Sequence, residues 1–329
     1  MNLKNKKVFV TGAGGFIGSH LCSKLANEGA HVTAMLHYNS RSDWSNLEFL
    51  DSDTIKSLKV IKGNIEDSSF MDYHTNSQDI IFHLAALIGI PYSYEAPLSY
   101  VKTNIQGTVN VLESTRKNKI PLIINTSTSE TYGTAQYTPI DELHPLQGQS
   151  PYSASKISAD KLSESYYNSF KTPVITVRPF NTFGPRQSSR AVIPTIISQL
   201  LTEKNLYLGD LSPLRDFTYV EDTVQGFINA AKYNQHVGEV INLGYGKAAS
   251  IGEIANLIMD IMGINKEIIS DSNRIRPKDS EVMNLISNNS KAKKLINWEP
   301  KIDLRAGLTK TIDFISDNLD FYKTKSYNI

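Results

Sequence analysis

The chain has 329 residues, 40% of them hydrophobic, enough for one large α/β unit or two domains with a substantial core. Lys plus Arg total 34 against 33 Asp plus Glu, a net charge of +1, so no basic excess points to nucleic acid or an anionic membrane, and small molecules are the expected partners. The single cysteine, Cys22, excludes an internal disulfide framework and reads as a core thiol in a reducing compartment; with no signal-peptide or membrane-spanning apolar run, the expected location is the cytoplasm.

In chain order, Lys7 to Val10 reads as a short buried strand. A glycine-rich turn with Gly12, Gly15 and Gly18 comes next, then a helix through about Asn27. Glycines allow close backbone approach to a pyrophosphate, and the helix N-terminus offers free N–H groups and the positive end of a dipole. A second strand, Ala30 to Leu36, should end at the adenosine ribose of a dinucleotide. The acidic residue expected there for NAD is missing, while Ser40 and Arg41 suit a 2′-phosphate, so the segment leaves NAD and NADP both open.

Leu58 to Lys62 and Asp79 to Leu84 read as the third and fourth strands, with His83 structural. A helix is expected from about Leu98 to Asn118, carrying Asn104 either inward to a site or in a core hydrogen bond. Short apolar runs alternating with helical stretches imply right-handed crossovers and a parallel sheet.

The apolar run Pro121 to Asn125 ends in Ser127-Thr128-Ser129-Glu130, and open parallel sheets bind ligands beyond the carboxyl ends of their strands. Tyr152 and Lys156 stand four apart in the next helical segment and share a face, so the ammonium can stabilise a phenolate and supply a base near neutral pH. Pro173 to Val177 is a further buried strand. Beyond it, short strands near 205–208, 217–220 and 239–243 and a helix capped by Ser250 suggest a smaller unit, whose Arg215, Arg274 and Arg276 suit a diphosphate. The expected organisation is α/β: a Rossmann-type doubly wound parallel sheet over residues 1–180 and a smaller α/β substrate-binding domain over 181–329, with some chain returning to the first. The tail after about Phe321 is expected to fray.

Thr11-Gly-x-x-Gly-x-x-Gly18, His83-Leu-Ala-Ala86, Thr103-Asn104, Tyr152-x-x-x-Lys156 and Arg178-Pro-x-Asn181 occur in that order over almost the whole chain. Together they resemble an extended short-chain dehydrogenase/reductase acting on a nucleotide sugar. The strings Phe82-His-Leu-Ala-Ala-Leu-Ile, Ile90-Pro-Tyr-Ser-Tyr94, Tyr132-Gly-Thr-Ala-Gln136, His144 to Tyr152 and Arg276-Pro-Lys-Asp-Ser-Glu281 are more closely similar to the GDP-N-acetylglucosamine 4,6-dehydratases of bacterial legionaminic acid synthesis.

The resemblance implies a tightly bound, recycled NAD, with NADP as the alternative. It implies cofactor contacts from Gly12, Gly15, Phe16, Ile17, Gly18, Asn39, Ser40, Arg41, Asn64, Ile65, Leu84, Ala85, Ala86, Tyr152 and Lys156, although Asn64 stands where relatives often have Asp. Substrate contacts are implied for Ser93, Asn104, Asn181, Val192, Arg215 and Arg276, and catalytic roles for Thr128, Ser129, Glu130, Tyr152 and Lys156. Ser129 replaces the acid that many dehydratases carry, which leaves the proton donor to the leaving hydroxyl open. No metal is implied. Glu130 favours dehydration over 4-epimerisation, which has no obvious work for a carboxylate there, while nucleotide-uronate decarboxylases share the Thr-Ser-Glu triplet. By fold analogy, a homodimer or larger homo-oligomer should pair through the Asn104 and Tyr152 helices.

Overall fold

The computed structural model describes residues 1–275 and 277–322. Seven strands, β1 Lys7–Thr11, β2 His31–His37, β3 Lys59–Gly63, β4 Ile80–His83, β5 Ile123–Thr126, β6 Val174–Pro179 and, later in the chain, Val240–Leu243, form one parallel sheet. The Val240–Leu243 strand pairs with β6 at one edge, and the order then runs β6-β5-β4-β1-β2-β3 to the other. Helices flank the sheet, the arrangement of a Rossmann-type fold. Because the winding reverses between β1 and β4, a crevice opens at the carboxyl ends of those two strands.

Both faces of the sheet are covered, so its strands are continuous apolar runs rather than alternating ones. Val8, Phe9, Val10, Ile80, Ile81, Phe82, Ile123 and Ile124 are all fully buried, each worth about 1.5–3 kcal/mol relative to exposure. Cys22 lies in this core; burial pushes its thiol up to about 12, an inert state.

The second layer of structure is smaller. Leu214–Tyr219 pairs antiparallel with Ala248–Ser250 and parallel with both Asn284–Leu285 and Asn181–Phe183, while Leu206–Leu208 pairs with Ile268–Ser270. Residues 240–243 thus return to the large sheet from within the C-terminal segment, and the strand expected near 217–220 begins at Leu214. Ser250 does cap the Ile251–Met262 helix, in a reciprocal arrangement with Glu253.

One expected helix is interrupted. The path from Pro97 to Lys117 contains a wider π-helical turn over Val101–Gln106 before α-helix resumes at Gly107–Lys117. Such turns cluster at functional sites because they re-aim a side chain, and here the re-aimed residue is Asn104.

Candidate active site

Four connections leave the carboxyl edge of the sheet and build the site: the glycine turn after β1, residues 84–87 after β4, residues 127–133 after β5 and Asn181 after β6. In the glycine turn, Gly12 has φ +69°, and a Cβ there would stand 2.8 Å from the Ala85 nitrogen. A Cβ on Gly18 would stand 2.2 Å from the Gly12 oxygen, so the turn folds tightly against both its own helix and the β4 exit. The helix Phe16–Asn27 starts at Gly15 with no side-chain cap. Its first amides are left for a ligand, and the backbone cradle fits a dinucleotide diphosphate. Ile17 occupies the same first turn, while Leu84, Ala85 and Ala86 are half-buried beside it.

The ends of β2 and β3 carry Asn39, Ser40, Arg41 and Asn64. The Asn39 Oδ1 accepts the Arg41 amide at 3.0 Å and Lys62 Nζ at 3.4 Å, and the Asn64 Oδ1 accepts the Glu66 amide at 3.0 Å. Lys62, which also donates to the Arg41 carbonyl, escaped notice in the sequence because it is an ordinary surface lysine there. Ile65 is 5% exposed and packs against Gly107, where a Cβ would meet it at 3.0 Å.

Behind the glycine turn, a polar chain crosses the sheet. The Leu84 and Ala85 amides each donate to Thr11 Oγ1 at 3.1 Å, and Thr11 lies 2.9 Å from His83 Nδ1. His83 Nε2 lies 3.0 Å from Thr108 Oγ1, whose own proton goes to the Asn104 carbonyl at 2.6 Å. Counting protons gives one consistent assignment: Thr11 donates to Nδ1, and a neutral Nε2–H imidazole donates to Thr108. Burial, then the Lys156 charge, pushes His83 down to about 3. His83 is a structural bridge, as its place in a strand suggests.

Asn104 and Ser93 are both buried and hydrogen-bonded within the protein. Asn104 is 1% exposed; its Nδ2 donates to the Leu87 carbonyl and to Ser155 Oγ, both at 2.9 Å, and its Oδ1 accepts the Leu87 amide at 2.8 Å. The π-helical turn aims it at the loop after β4, where it holds the Leu87 backbone. Ser93 is fully buried and donates to the Ile90 carbonyl at 2.6 Å, so it closes a helical turn.

The Pro151–Phe170 helix is launched by Ser150, which forms a reciprocal cap with Ser153, and by Pro151 in the first turn. It brings Tyr152 and Lys156 to one buried face, where they are 7% and 4% exposed. The Tyr152 phenol is hydrogen-bonded to Thr128, but burial pushes it above its ordinary value, and the Glu130 charge adds to that. Lys156 does not directly support a phenolate here. Its Nζ donates to the Thr126 carbonyl at 2.7 Å, and burial lowers its affinity for a proton. In the protein by itself, burial is the largest influence on the Tyr152 hydroxyl and acts against the phenolate expected there.

Thr128 and Glu130 are half-buried on a tight turn, the Thr128 Oγ1 accepting the Glu130 amide at 3.2 Å, whereas Ser129 is 2% exposed and turned inward. Asn181 starts the strand after β6, and its buried Oδ1 has no hydrogen-bond partner among the described residues. Such an orphan acceptor suits a ligand hydroxyl or amide. Val192 is half-buried at the start of the Val192–Thr202 helix. Arg215 is 6% exposed and pairs with Glu281 at 2.8 Å; Arg274 pairs with Asp271 at 3.0 Å. Arg276 lies outside the described residues.

Sequence reading missed a buried cluster beneath Lys156. Asp160, one turn further along the same helix, accepts from Ser127 Oγ at 2.6 Å and from Arg178 Nε and Nη2 at 3.0 and 2.9 Å. Arg178 also donates to the Tyr132 hydroxyl at 2.9 Å, and that hydroxyl donates to Asn242 Oδ1 at 2.7 Å. The available signal was the four-residue spacing Tyr152, Lys156, Asp160.

Comparison with known proteins places this geometry. The family described as GDP-mannose 4,6 dehydratase matches residues 9–311. The chain is 34% identical to the uncharacterized UDP-glucose epimerase YtcB of Bacillus subtilis, over 94% of this chain and 98% of that one. It is 32% identical to the UDP-glucuronate 4-epimerase of Thermodesulfobacterium geofontis, over 96% and 98%. Among solved structures it resembles Pal from Bacillus thuringiensis, with TM-score 0.84, 32% identity and coverage of 95% and 99%. It also resembles the UDP-glucuronic acid 4-epimerase of Bacillus cereus in complex with UDP-glucuronic acid and NAD, with TM-score 0.85, 30% identity and the same coverage.

Proposed function

The chain belongs to the GDP-mannose 4,6 dehydratase family, and on that footing we propose that it removes water from a nucleotide-activated N-acetylhexosamine without net oxidation. The product is the 4-keto-6-deoxy sugar. GDP-N-acetylglucosamine is the preferred substrate, an assignment supported by the sequence strings at 82–94, 132–136 and 144–152. NAD is the cofactor, by analogy with the NAD-bound Bacillus cereus structure and by the fit of the Gly12, Gly15 and Gly18 cradle; Arg41 and Lys62 at the β2 and β3 ends make NADP the alternative.

Held by the Gly12, Gly15 and Gly18 turn, a bound nicotinamide dinucleotide would supply reversible hydride storage between sugar C4 and C6. The chain's own residues move the protons. Tyr152 Oη takes the proton of the 4-hydroxyl, with Thr128 bonded to the same phenol to orient it. A ketone at C4 acidifies the C5 hydrogen, and the Glu130 carboxylate removes it as the C6 hydroxyl departs; of the two protons so taken up by Tyr152 and Glu130, one goes to the departing oxygen, which leaves as water, and one returns to C5 when hydride is added at C6. Asn181 offers its orphan acceptor to the sugar nucleotide, and substrate contact is proposed for Val192 and Arg215 and, from its sequence string alone, for Arg276. Lys156 keeps a positive charge near Tyr152, which favours the phenolate once the proton is shared with substrate. Two copies pairing through the Asn104 and Tyr152 helices would cover the exposed Leu98, Val101 and Phe170.

The observation that carries this reading is Glu130, half-buried on the same turn as Thr128 and close enough to Tyr152 for its charge to act on the phenol. A second reading, 4-epimerisation, is favoured by the epimerase relatives, and decarboxylation of a nucleotide uronate uses the same scaffold. Incubation with GDP- and UDP-N-acetylglucosamine, with products identified by mass and NMR, separates them. A product lighter by one water carrying a C4 ketone supports dehydration; an isobaric C4 epimer refutes it.

A further inference from the structure

Resting on the proposed reading of Tyr152 and Lys156, we infer that Asp160 is a positioning residue for the reaction: its buried carboxylate holds Lys156 in the charged form and in place at the floor of the site. Three ionic side chains are buried here, Lys156 at 4%, Asp160 at 5% and Arg178 at 4% exposure, and Asp160 and Arg178 form an ion pair at 2.9 Å. An isolated buried ammonium is expensive and tends to shed its proton. Lys156 Nζ donates to a neutral carbonyl, that of Thr126, which orients the ammonium without balancing its charge.

Asp160 supplies the balance. It lies four residues beyond Lys156 on one helix face, the spacing at which side chains are neighbours. Its Oδ2 is consumed by Ser127 and Arg178, but its Oδ1 is buried with no hydrogen-bond partner among the described residues. Arg178 already pairs with this carboxylate through Oδ2, and beyond that pair Asp160 opposes the loss of the Lys156 proton.

The groups facing this carboxylate come from every element around it. Lys156 and Tyr152 share its helix, Arg178 comes from β6, Ser127 from the loop after β5, and Tyr132 reaches it through Arg178. One step away, the Lys156 charge acts on His83 and the Glu130 charge on Tyr152. Asp160 also resists ionisation of Tyr152, as the weakest of the influences on that phenol. Removing its charge should therefore move both titrations to lower pH, and that of Lys156 by more.

The test is Asp160→Asn, which keeps the shape and the hydrogen bond to Ser127. Its first readout needs no turnover. A lysine whose native proton affinity is lowered makes the fold gain stability as pH rises toward the unfolded value, because the unfolded state binds the extra proton in that window. The rise in Tm between pH 6 and 9 should be steeper in Asp160→Asn than in wild type, and the added slope should vanish in Lys156→Met/Asp160→Asn. The second readout is the alkaline limb of kcat/KM, which should fall by roughly one pH unit or more. Asp160→Glu should restore the wild-type limb, and Ser127→Ala, which removes a hydrogen bond but no charge, should leave it in place.

An unchanged Tm slope in Asp160→Asn, a slope that survives removal of Lys156, or an equal displacement in Ser127→Ala overturns the inference. Should Asp160→Asn not fold, a Glu variant with its alkaline limb displaced by more than about one unit overturns it as well. If the wild type turns over no nucleotide sugar, the proposed reaction fails, but the Tm comparison still decides the role of Asp160.

Discussion

The floor and the rim of this site are built on opposite principles. On the floor, Lys156, Asp160, Arg178 and His83 are all at most 5% exposed, and almost every polar atom is spent on another protein atom. On the rim, Thr128, Glu130 and Asn181 are half-buried, and Asn181 keeps an orphan acceptor. A dry, internally bonded floor fixes protonation states before any ligand arrives, whereas an open rim leaves groups whose partners must come from the substrate. On the proposed reading, the floor serves the C4 oxidation and the rim decides the fate of the 4-ketone.

The largest expected effect strikes where the two meet. Tyr152→Phe removes the proposed base and little packing, so turnover should fall by about 100- to 10,000-fold in a protein that folds normally and still retains its cofactor. Near-normal turnover would place the base elsewhere. Glu130→Gln should separate rim from floor: C4 chemistry survives, while elimination and the exchange of the C5 hydrogen with deuterated water slow by a similar factor of about 100 to 10,000. Wild-type rates of C5 exchange would remove Glu130 as the base.

A smaller effect isolates the floor. His83 is held neutral down to about 3, so below an unfolded value near 6.5 the unfolded state takes up a proton that the native state refuses. Stability is therefore present above about pH 6.5 and lost as pH falls, by about 1.4 kcal/mol per pH unit while native His83 stays neutral. His20, similarly held at about 3 by burial and by Arg186, adds to the slope. Denaturant titrations from pH 7 to 4 should show a shallower loss in His83→Gln than in wild type; equal slopes would contradict the assignment. Smallest is Gly12→Ala, which imposes φ +69° on an L-residue and a Cβ 2.8 Å from Ala85. The backbone alone costs about 1–2 kcal/mol, visible as a lower Tm and weaker dinucleotide binding by calorimetry.

The same division governs how much was legible in the chain. Local signals carried the strands, the glycine turn and the Ser250 cap, because each depends on residues within a few positions of one another. Tyr152 and Lys156 could be paired from spacing, but the Thr126 carbonyl that captures the ammonium lies 30 residues away. The π-helical turn left no mark, since the apolar pattern from 97 to 117 reads equally as a regular helix, and the pattern left Asn104 open between a site role and the core hydrogen bonds it makes. Asp160 looked like an ordinary charged residue, and Arg178 stood out only as part of the Arg178-Pro-x-Asn181 motif, until the helix and β6 brought them together. Long-range burial, not composition, made them ionic partners.

The most direct test tracks an isotope. GDP-N-acetylglucosamine carrying deuterium at sugar C4 is converted by the wild type, and the product is read by NMR and mass. Redox-neutral dehydration predicts that the label leaves C4 and appears at C6 of a 4-keto-6-deoxy sugar, with no net change in external cofactor. Label returned to C4 in an epimer, or lost from the sugar into stoichiometric reduced cofactor, would contradict it.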